Sequence, residues 1–595
     1  MLLKDSNTIF LTIKNHQNLI IFLLISIFAL HELFFLITYN INFPHAEDFW
    51  YIVYIYKYII TGNLPYNDFI SSFNGHIPLF PKLITFPYFY FNSFDIGNLY
   101  YLQWIIMSLS LYFIYLLLKK TNKNLFWTLI PISAFVYSPL ITHGYYTIGT
   151  LQWLIPSLCV IILTYLFTKN TNFKIFVAAI PLAILSTFTL IIGVVTWLPP
   201  LIWLIFKFTK TRSRNTGKWL VIWIVVMIIT GLVYYSLVPH TEIEIKPQSL
   251  FTSTGIDYIA AFLASPFRLK YDFLLTLVGI LTLILSVFFA YYYIVKKRKT
   301  EVTLPWLVFL LIGIVSPVVT VLGRTNLLFN FAYRPDYIVY SYLTQFGLLI
   351  LISITIQEIV QTHAKYKKIK LFFLILIIIA QITMLAPSYY AGWNRGEHYF
   401  QQKLEYAECF SLTHGSECLD TLYGGLSSEV DKVILYDMLN YWLKNKFSIF
   451  GETNFNQQNI QDIQKFEQIW NNEKEISFGF GQIETVNGID ISEKESILIV
   501  TKPVIIINGW ALDHEKKQLD SIYLIIDDKP FLKYNNFEHR NDIVNKLDLD
   551  SNLQPGWKIS FLAGYLIERC YKMTIAGLKD DNKVLLNQTV EICKN

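Results

Sequence analysis

The chain has 595 residues, of which 54% are hydrophobic and 17% aromatic, and its mean hydropathy is +0.42. These values lie outside the range of ordinary soluble domains, so we expect most of the chain to lie in lipid. The net charge of +5 is small for this length, and Lys and Arg gather in short clusters between apolar runs, which argues against nucleic acid as a partner.

About eleven apolar runs are candidates for membrane-spanning helices, since a bilayer requires about 20 apolar residues. The first, residues 19–39, follows an N-terminus with Lys4 and Lys14 and lacks a small-residue cleavage site, so we expect an uncleaved helix. Two runs, 125–142 and 194–206, are short or interrupted by proline. The others are residues 99–118, 151–167, 175–191, 219–238, 273–295, 304–322, 338–360 and 371–386. The sequence therefore predicts a polytopic α-helical membrane protein.

The basic clusters between the runs predict the topology, because Lys and Arg that flank a span prefer the cytoplasmic side. With the N-terminus inside, all the basic loops between spans fall on that side. They are "KKTNKN" (119–124), "TKNTNFK" (168–174), "KFTKTRSRNTGK" (207–218), "KKRK" (296–299) and "HAKYKKIK" (363–370). An odd number of spans then leaves the chain after about Ala386 outside, as a tail of about 200 residues.

The cysteines favour the same orientation. Cys159 lies in an apolar run, whereas Cys409, Cys418, Cys570 and Cys593 lie in the tail. An even number of cysteines suits disulfides in an oxidising compartment, although coincidental free cysteines are the alternative. Proximity predicts the pairs Cys409–Cys418 and Cys570–Cys593, while four cysteines allow three connectivities.

Three regions follow from the change of pattern along the chain. Residues 1–390 hold the spans and a long first loop, 40–98. Residues 391–490 have a helical character, and residues 491–595 contain short alternating runs such as "SILIV" and "VIIINGWAL", typical of a small antiparallel β-sandwich. The sequence contains no Gly-rich phosphate loop, dinucleotide-binding fingerprint or zinc spacing, so a nucleotide-sugar or ATP site is not supported.

The first loop begins with two adjacent carboxylates, in "NFPHAEDFWY". A carboxylate beside lipid is costly unless it has a partner or a function. In a partly dehydrated cleft, the pKa of Glu47 or Asp48 would rise, which would make the group an effective base for a hydroxyl proton. The alternative is that both residues cap the following helix. The aromatic residues further along the loop predict one or two helices lying in the membrane interface.

Candidate phosphate ligands lie in two outer loops. "FNGHIPLFPK" contributes Asn74, His76 and Lys82, and charge-assisted hydrogen bonds from Lys82 and His76 would hold a lipid phosphate. "GRTNLLFNFAYRPDY" contributes Arg334, and Arg binds phosphate in a bidentate manner. The alternatives are a Lys82 side chain that snorkels beside an aromatic belt and an Arg334 paired with Asp336.

Two ionisable residues, His31 and Glu32, lie in the outer half of the first predicted span. Ionisable residues inside a span are functional candidates, because placing them in lipid is costly. A partner for Glu32 inside the helical bundle is the alternative explanation.

These features resemble the GT-C glycosyltransferases, integral membrane enzymes that use polyprenyl-phosphate-linked sugars. The shared features are a first helix, a long outer loop that opens with an acidic pair, many further spans and an extracytoplasmic tail. "EDFWYIVY" and "SFNGHIPLFPKLI" are similar to the acidic and Asn-x-His motifs in the first loop of a bacterial group of these enzymes. "YRPDY" resembles the late Arg-Tyr element of that group, although Pro335 and Asp336 interrupt it. "AECFSLTHGSECLDTLY" and "INGWALD" resemble a Cys-bracketed segment and a β-sandwich domain found in such proteins.

The resemblance implies an enzyme of the bacterial inner membrane, with a cytoplasmic N-terminus and a periplasmic tail, that transfers a hexosyl or pentosyl group. Its donor would be a polyprenyl-phosphate-linked sugar in the membrane, and its acceptor a cell-envelope glycan or lipid. Carried over to this chain, Asp48 would be the base, with Glu47 in reserve, and His76, Lys82 and Arg334 would face the donor phosphate. Some members of the fold use a divalent metal, and the Asp/Glu pair could hold Mg²⁺ or Mn²⁺, but nothing in the sequence requires one.

Other kinds of membrane protein share some of these features. A transporter or lipid-linked glycan flippase would more often show internal repeats with broken helices in matching positions, and the sequence contains no such repeat. An O-antigen ligase or polymerase would be expected to carry its largest loop late in the chain, not directly after the first helix. A membrane scaffold whose β-sandwich binds glycans is a further alternative.

Overall fold

The computed structural model divides the chain into two compact units, Met1–Gln401 and Gln402–Asn595. The first unit is built from helices, and the second contains a helical part and two β-sheets. The residues that the structure describes are 17–44, 47–63, 69–71, 76–92, 94–142, 148–169, 172–238, 248, 250, 252–269, 271–297, 300–323, 332, 335–361, 367–413, 429–445, 447–451, 477–487, 489–491, 497–500, 504–527, 529–534, 537–562, 570–580 and 582–594.

Most of the described residues up to 413 are helical, as expected of apolar segments that cross lipid, because such a segment must satisfy its backbone N–H and C=O groups within itself. The helices are α1 (Gln17–Tyr39), α2 (Glu47–Thr61), α3 (Leu79–Phe91), α4 (Gly97–Thr121), α5 (Leu129–Val136), α6 (Pro139–Thr142), α7 (Ile148–Lys169), α8 (Phe173–Thr187), α9 (Leu198–Thr211), α10 (Arg214–Leu237), α11 (Ser253–Ala264), α12 (Asp272–Tyr291), α13 (Thr300–Gly323), α14 (Pro335–Gln361), α15 (Lys367–Thr383) and α16 (Ala386–Thr413). Short 3₁₀ helices lie at Lys123–Thr128, Ile191–Trp197 and Ser265–Phe267, and a π-helix lies at Tyr292–Lys296.

Ten helical stretches in the described part of the chain are long and apolar enough to cross a membrane. They correspond to ten of the predicted runs, so the structure confirms a polytopic α-helical membrane protein. The run predicted at 175–191 forms α8, which is apolar but has only 15 residues. The ten stretches are an even number, so the predicted alternation, with the tail on the side opposite the N-terminus, requires α8 to cross the membrane as well. The ten stretches are Asn18–Tyr39, Gly97–Thr121, Lys123–Ile141, Gly149–Lys169, Ile191–Thr211, Arg214–Leu237, Asp272–Lys296, Glu301–Leu322, Tyr337–Gln361 and Leu371–Leu404.

Two of the spans begin with irregular helix, at the two runs that are short or interrupted by proline. The span Lys123–Ile141 starts as the 3₁₀ helix Lys123–Thr128, and the span Ile191–Thr211 starts as the 3₁₀ helix Ile191–Trp197. Irregular backbone is tolerated at membrane depth where protein covers it. Of the most apolar stretch of Lys123–Ile141, 78% is buried, compared with 17% for Arg214–Leu237, so this span lies inside the bundle, and its 3₁₀ helix buries Leu125 and Thr128.

Polar contacts join the helix ends that carry the basic loops. Asn122 Nδ2 donates to Gln357 Oε1 at 2.6 Å, and Lys297 Nζ lies 3.3 Å from Glu358 Oε2. A third polar pair joins α9 to α13. All three contacts connect helix ends that the predicted alternation assigns to one side of the membrane, and we call this end of the helical unit the basic end.

The second unit contains two β-sheets. The strands are β1 (Ser477–Phe478), β2 (Phe480–Val486), β3 (Ile489–Asp490), β4 (Ile497–Val500), β5 (Val504–Leu512), β6 (Ser521–Ile526), β7 (Lys529–Tyr534), β8 (Gly556–Leu562), β9 (Cys570–Lys579) and β10 (Asn582–Lys594). Two helices, α17 (Glu429–Asn445) and α18 (Asn541–Leu547), and a 3₁₀ helix at Ser448–Gly451 accompany them. One sheet has the order β1-β10-β9-β6-β7, with β4 also pairing with β10, and the other has the order β3-β2-β5-β8.

The two sheets share one hydrophobic core, as the alternating runs predict. Alternate residues of β5 and β6 are buried in it, namely Ile505 and Ile507 of β5 and Ile522 and Leu524 of β6. Trp557 of β8 belongs to the same buried cluster. Because β5 and β8 lie in one sheet and β6 in the other, this cluster is the hydrophobic core of a β-sandwich.

The β region of the structure begins at Ser477, before the boundary at residue 491 that the sequence suggests. β2 pairs antiparallel with β5, from Phe480–Leu512 to Val486–Ile507, and β1 pairs in parallel with β10. Only two of the seven β2 side chains are fully buried, so its sequence carries little alternation. Partners distant in sequence, rather than a local pattern, place these strands in the sheets.

A disulfide links Cys570 of β9 to Cys593 of β10, which confirms one of the two predicted pairs. The two residues lie opposite each other in the antiparallel register of these strands. The other predicted pair lies outside the described residues, since Cys418 is not described and only the backbone of Cys409 is. Cys159 is buried and free.

Candidate functional site

The first loop contains two helices, α2 and α3, that pack against each other, which confirms the prediction of helices here. Tyr54 of α2 donates its hydroxyl proton to the carbonyl oxygen of Lys82 at 2.8 Å. The ring of Tyr54 also lies 4.9 Å from that of Phe69 and 6.3 Å from that of Phe86, measured between centroids. Aromatic contacts therefore fix the position of α3 relative to α2.

Asp48 lies in the first turn of α2 and is fully buried. The backbone N–H of Gly149, in the first turn of α7, donates to Asp48 Oδ1 at 3.4 Å. One turn further along both helices, the Tyr51 hydroxyl donates to Gln152 Oε1 at 2.6 Å. The carboxylate therefore lies at the N-termini of two helices, and it caps a helix about one hundred residues distant in sequence.

This position has two opposing effects on the charge of Asp48. The first-turn N–H groups of a helix lack intrahelical acceptors, and the helix dipole is positive there, so both helices stabilise the ionised carboxylate. Complete burial opposes ionisation, because it removes the carboxylate from water. The carboxylate is therefore held in a fixed orientation, which is one requirement of a general base.

Lys82 of α3 is also buried, with 1% of its surface exposed. Its ammonium donates to Ser71 Oγ at 3.1 Å, to Ser71 O at 3.3 Å and to Phe69 O at 3.4 Å. The Nζ atom lies 5.9 Å from the centroid of the Tyr54 ring. Lys82 therefore does not extend to the surface as a snorkelling lysine would, and it holds the chain at residues 69–71 against α3.

The stretch from His76 to Lys82 contacts the ends of two membrane helices. His76 is partly buried, and the N–H of the next residue, Ile77, donates to the Tyr234 hydroxyl at 3.3 Å, near the end of α10. The N–H of Phe80 donates to the carbonyl of Phe188, the residue after α8, at 3.4 Å. The predicted alternation assigns residues 188, 234 and 149 to the same side of the membrane as the first loop. The loop therefore covers the helix ends opposite the basic end.

Three of the six predicted site residues are described with their side chains, namely Asp48, His76 and Lys82. All three belong to the first loop, and its helices α2 and α3 both contact α7. Glu47 is the first residue of α2, but its side chain is not described. Asn74 and Arg334 lie outside the described residues, so their predicted roles remain predictions.

The buried carboxylate Glu32 lies where several helices of the first unit meet. It acts electrostatically on the hydroxyls of Tyr137, Tyr342 and Tyr389, which lie after α5, in α14 and in α16. Its neighbour His31 accepts a hydrogen bond at Nε2 from the indole N–H of Trp393 at 3.1 Å. Glu32 is thus enclosed by the helices of the first unit and does not face lipid.

Sequence reasoning missed a packing motif that supports this cluster. In α16, Gly392 and Gly396 are spaced as in the small-x-x-x-small motif of membrane helices. A Cβ on Gly396 would lie 2.6 Å from Phe35 Cε2 of α1, and a Cβ on Gly392 would lie 2.7 Å from the backbone nitrogen of Leu140. The glycines therefore permit close approach of α16 to α1 and α6, and the "GWNRG" sequence is the signal that could have predicted it.

The described side chains do not give Asp48 a set of metal ligands. Among the residues with described side chains, one group of three potential ligands is close enough to hold an ion, namely Cys570, Glu591 and Cys593. The two cysteines of that group form the disulfide. Because the side chain of Glu47 is not described, a metal site formed by Glu47 and Asp48 stays a prediction.

No model of a known protein family matches the sequence, and no curated protein matches it either. The resemblance to a family of enzymes consequently rests on the sequence motifs alone and stays a prediction.

Proposed function

We propose that this protein is a glycosyltransferase of the GT-C type in the bacterial inner membrane. It would move a sugar from a polyprenyl-phosphate donor to a glycan or lipid acceptor of the cell envelope, on the extracytoplasmic face. The observation that carries this proposal is Asp48, a fully buried carboxylate held at two helix N-termini within the loop that covers the membrane helices. The basic loops at the opposite end support the orientation, since they favour the cytoplasm.

The outer surface of α3 supports access from the lipid. Phe91 is 78% exposed, Tyr90 49% and Leu83 47%. Exposed apolar and aromatic side chains next to membrane helices suit the interface between lipid headgroups and acyl chains. A lipid-linked donor would reach the first loop through this interface, and the acceptor would arrive from the aqueous side.

The proposed reaction is a direct displacement. Asp48 takes the proton of the acceptor hydroxyl while the hydroxyl oxygen attacks the anomeric carbon of the sugar. The bond from that carbon to the phosphate oxygen breaks, and its electron pair remains on the departing polyprenyl phosphate. His76 and Arg334 would stabilise the charge that develops on that phosphate. The predicted role of Lys82 becomes a positioning one, since its buried ammonium holds residues 69–71 of the same loop. A single displacement of this kind inverts the anomeric centre.

The test is the Asp48→Asn variant, expressed in a strain from which the gene has been deleted. Asn retains the size of the side chain and an oxygen acceptor for Gly149, but it cannot act as a base. We expect sugar transfer to fall at least about 100-fold, the usual contribution of a general base, with unchanged abundance in the membrane. Mass spectrometry of surface glycans measures the transfer and also identifies the sugar and its acceptor.

Asp95→Asn is the matched control, because Asp95 lies in the same loop and its Oδ1 accepts the N–H of Gly97 at 2.8 Å. This carboxylate also bonds the N-terminal backbone of a helix, but it is only partly buried. The control variant should retain activity. Full activity of Asp48→Asn would show that Asp48 is not the base.

A further inference from the structure

A cavity of about 670 Å³ lies at the basic end of the helical unit, opposite the first loop. It is bounded by α9, α13, α14 and Asn122, the residue after α4. Its volume lies within the usual range for pockets that bind small molecules or lipid headgroups. Nothing in the proposed transferase reaction uses this cavity, and the inference below does not rest on that reaction.

The charged wall of the cavity contains two carboxylates and one ammonium group. Lys210 of α9 is paired with Glu301 at the start of α13, and both side chains are more than half exposed. Glu358 of α14 is only 15% exposed, and Lys297, outside the cavity lining, lies 3.3 Å from it. The lining therefore offers carboxylates that could accept from a cation and an ammonium that could donate to an anion.

The rest of the wall determines which class of ligand is favoured. Phe206, Val302 and Ile354 give the cavity an apolar side, and they belong to helices that are long and apolar enough to span a membrane. A cavity at the end of such helices opens where lipid headgroups lie. An amphiphile would place its polar group against the charged wall and its chains beside the apolar residues.

We propose that this cavity binds the headgroup of a zwitterionic aminophospholipid, of the phosphatidylethanolamine type. Its primary ammonium would donate to Glu358 and Glu301, and its phosphate would accept from Lys210 and from the amide of Gln361. Charge-assisted hydrogen bonds of this kind need N–H donors on the ligand. A choline headgroup lacks them, and a glycerol headgroup lacks the cation, so the cavity discriminates between phospholipids.

The experiment measures the binding of short-chain phosphatidylethanolamine to the purified full-length protein in detergent, by isothermal titration calorimetry. The same titration uses phosphatidylcholine and phosphatidylglycerol with identical chains, and free phosphoethanolamine. We expect phosphatidylethanolamine to bind about ten-fold more tightly than the other two lipids, because one charge-assisted hydrogen bond is worth at least that factor. Free phosphoethanolamine should bind at least ten-fold more weakly than the lipid, because it lacks the apolar contacts.

Two variants test the direct contact. Glu358→Gln should remove the preference for phosphatidylethanolamine, whereas Lys297→Gln should retain it, although both break the same ion pair. Glu397→Gln, an exposed carboxylate of α16 outside the cavity, is the control and should bind all lipids as the unchanged protein does.

Three results would overturn the proposal. Equal binding of the three lipids would show that the cavity does not recognise the headgroup. If free phosphoethanolamine bound as tightly as the lipid, the ligand of the cavity would be a soluble molecule and not a lipid. Loss of the preference in Lys297→Gln as well as in Glu358→Gln would attribute the effect to the ion pair and not to a contact with the ammonium.

Discussion

Charged side chains are held differently in the helical unit and in the β-sandwich. In the first loop, Asp48 and Lys82 are buried, and their partners include backbone groups and, for Lys82, the hydroxyl of Ser71. In the β-sandwich, Arg540 is only partly buried and donates to the carboxylates of Glu484 and Asp542. The free-energy cost of removing these charges from water is therefore much larger in the first loop than in the β-sandwich.

A buried charge is expensive, because it gives up its hydration, and it is retained only where fixed donors or acceptors replace the water. Exposed ion pairs gain little, since water and salt screen them, and typical values are about 0 to 1 kcal/mol. The contrast predicts that removing a buried charge of the first loop has a large effect, whereas removing a surface pair of the sandwich has a small one.

The largest effect should follow substitution of the buried lysine, Lys82→Met. Methionine fills much of the same volume but leaves the carbonyls of Phe69 and Ser71 without the ammonium donor. We expect sugar transfer to fall at least about 100-fold and the free energy of unfolding to fall by about 3 kcal/mol, the sum of such bonds. Hydrogen exchange at residues 69–71 and glycan analysis measure the two effects.

Lys57→Met is the control for this change, because Lys57 lies on α2 in the same loop but is not fully buried. It should have little effect on either measurement. Normal activity and exchange in Lys82→Met would remove the contrast between buried and exposed charges.

The disulfide provides an intermediate effect inside the sandwich. Cys570 and Cys593 are separated by 23 residues, and closing a loop of this length stabilises a fold by about 3 kcal/mol through the unfolded chain. The double variant Cys570→Ser and Cys593→Ser should lose this stability in the sandwich. The contacts of Asp48 and Lys82 in the first loop should stay unchanged. Faster amide exchange confined to β9 and β10 in the intact protein would support this, and unchanged exchange would contradict it.

A smaller effect is expected at the surface ion pair. Hydrogen bonds from Arg540 lower the pKa of Asp542 from its ordinary 3.8 to about 2. Because the pKa in the folded state is the lower one, this pair stabilises the fold above about pH 4, and the contribution is lost as the pH falls towards 2. Arg540→Ala should reduce the free energy of unfolding by about 1 kcal/mol at pH 7 and remove this part of its pH dependence.

The measurement is amide exchange of β2 and β8 in the intact protein at pH 6 and at pH 3. The protein that retains Arg540 should show a larger difference in exchange protection between pH 6 and pH 3 than the Arg540→Ala variant. The same difference in both proteins would mean that the pair does not contribute.

The smallest effect should come from Lys579→Ala. Lys579 Nζ lies 3.0 Å from Asp520 Oδ1, but Asp520 also accepts the backbone N–H of Asp580 at 2.7 Å. The carboxylate keeps that second donor when the lysine is removed. We expect the free energy of unfolding to fall by less than about 0.5 kcal/mol. A fall above about 2 kcal/mol would contradict the expected difference between buried charges and surface ion pairs.

The membrane helices were predictable because lipid imposes a simple rule of length and apolarity on each span, independent of the partners of that span. The same rule located the two spans that begin as 3₁₀ helix, since their runs are short or contain proline. The disulfide was predictable because Cys570 and Cys593 lie on strands that follow each other closely.

The partners of the site residues were not predictable from local pattern. Gly149 follows Asp48 by about one hundred residues, and nothing in "GTLQW" marks it as the donor to a buried carboxylate. The carbonyls that hold Lys82 are backbone atoms, which every residue has, so no residue type indicates them. The start of the β region was missed for a similar reason, because the two-residue strand β1 depends on β10.

The position of β10 has a consequence for biosynthesis. This strand lies between β9 and the two parallel strands β1 and β4, and it follows every other strand in the chain. The larger sheet therefore cannot close until β10 has been made, after all the membrane helices have left the ribosome. A chain whose synthesis stops before residue 582 would hold a finished helical bundle and an open sheet with exposed edges, a species that proteases and chaperones recognise readily.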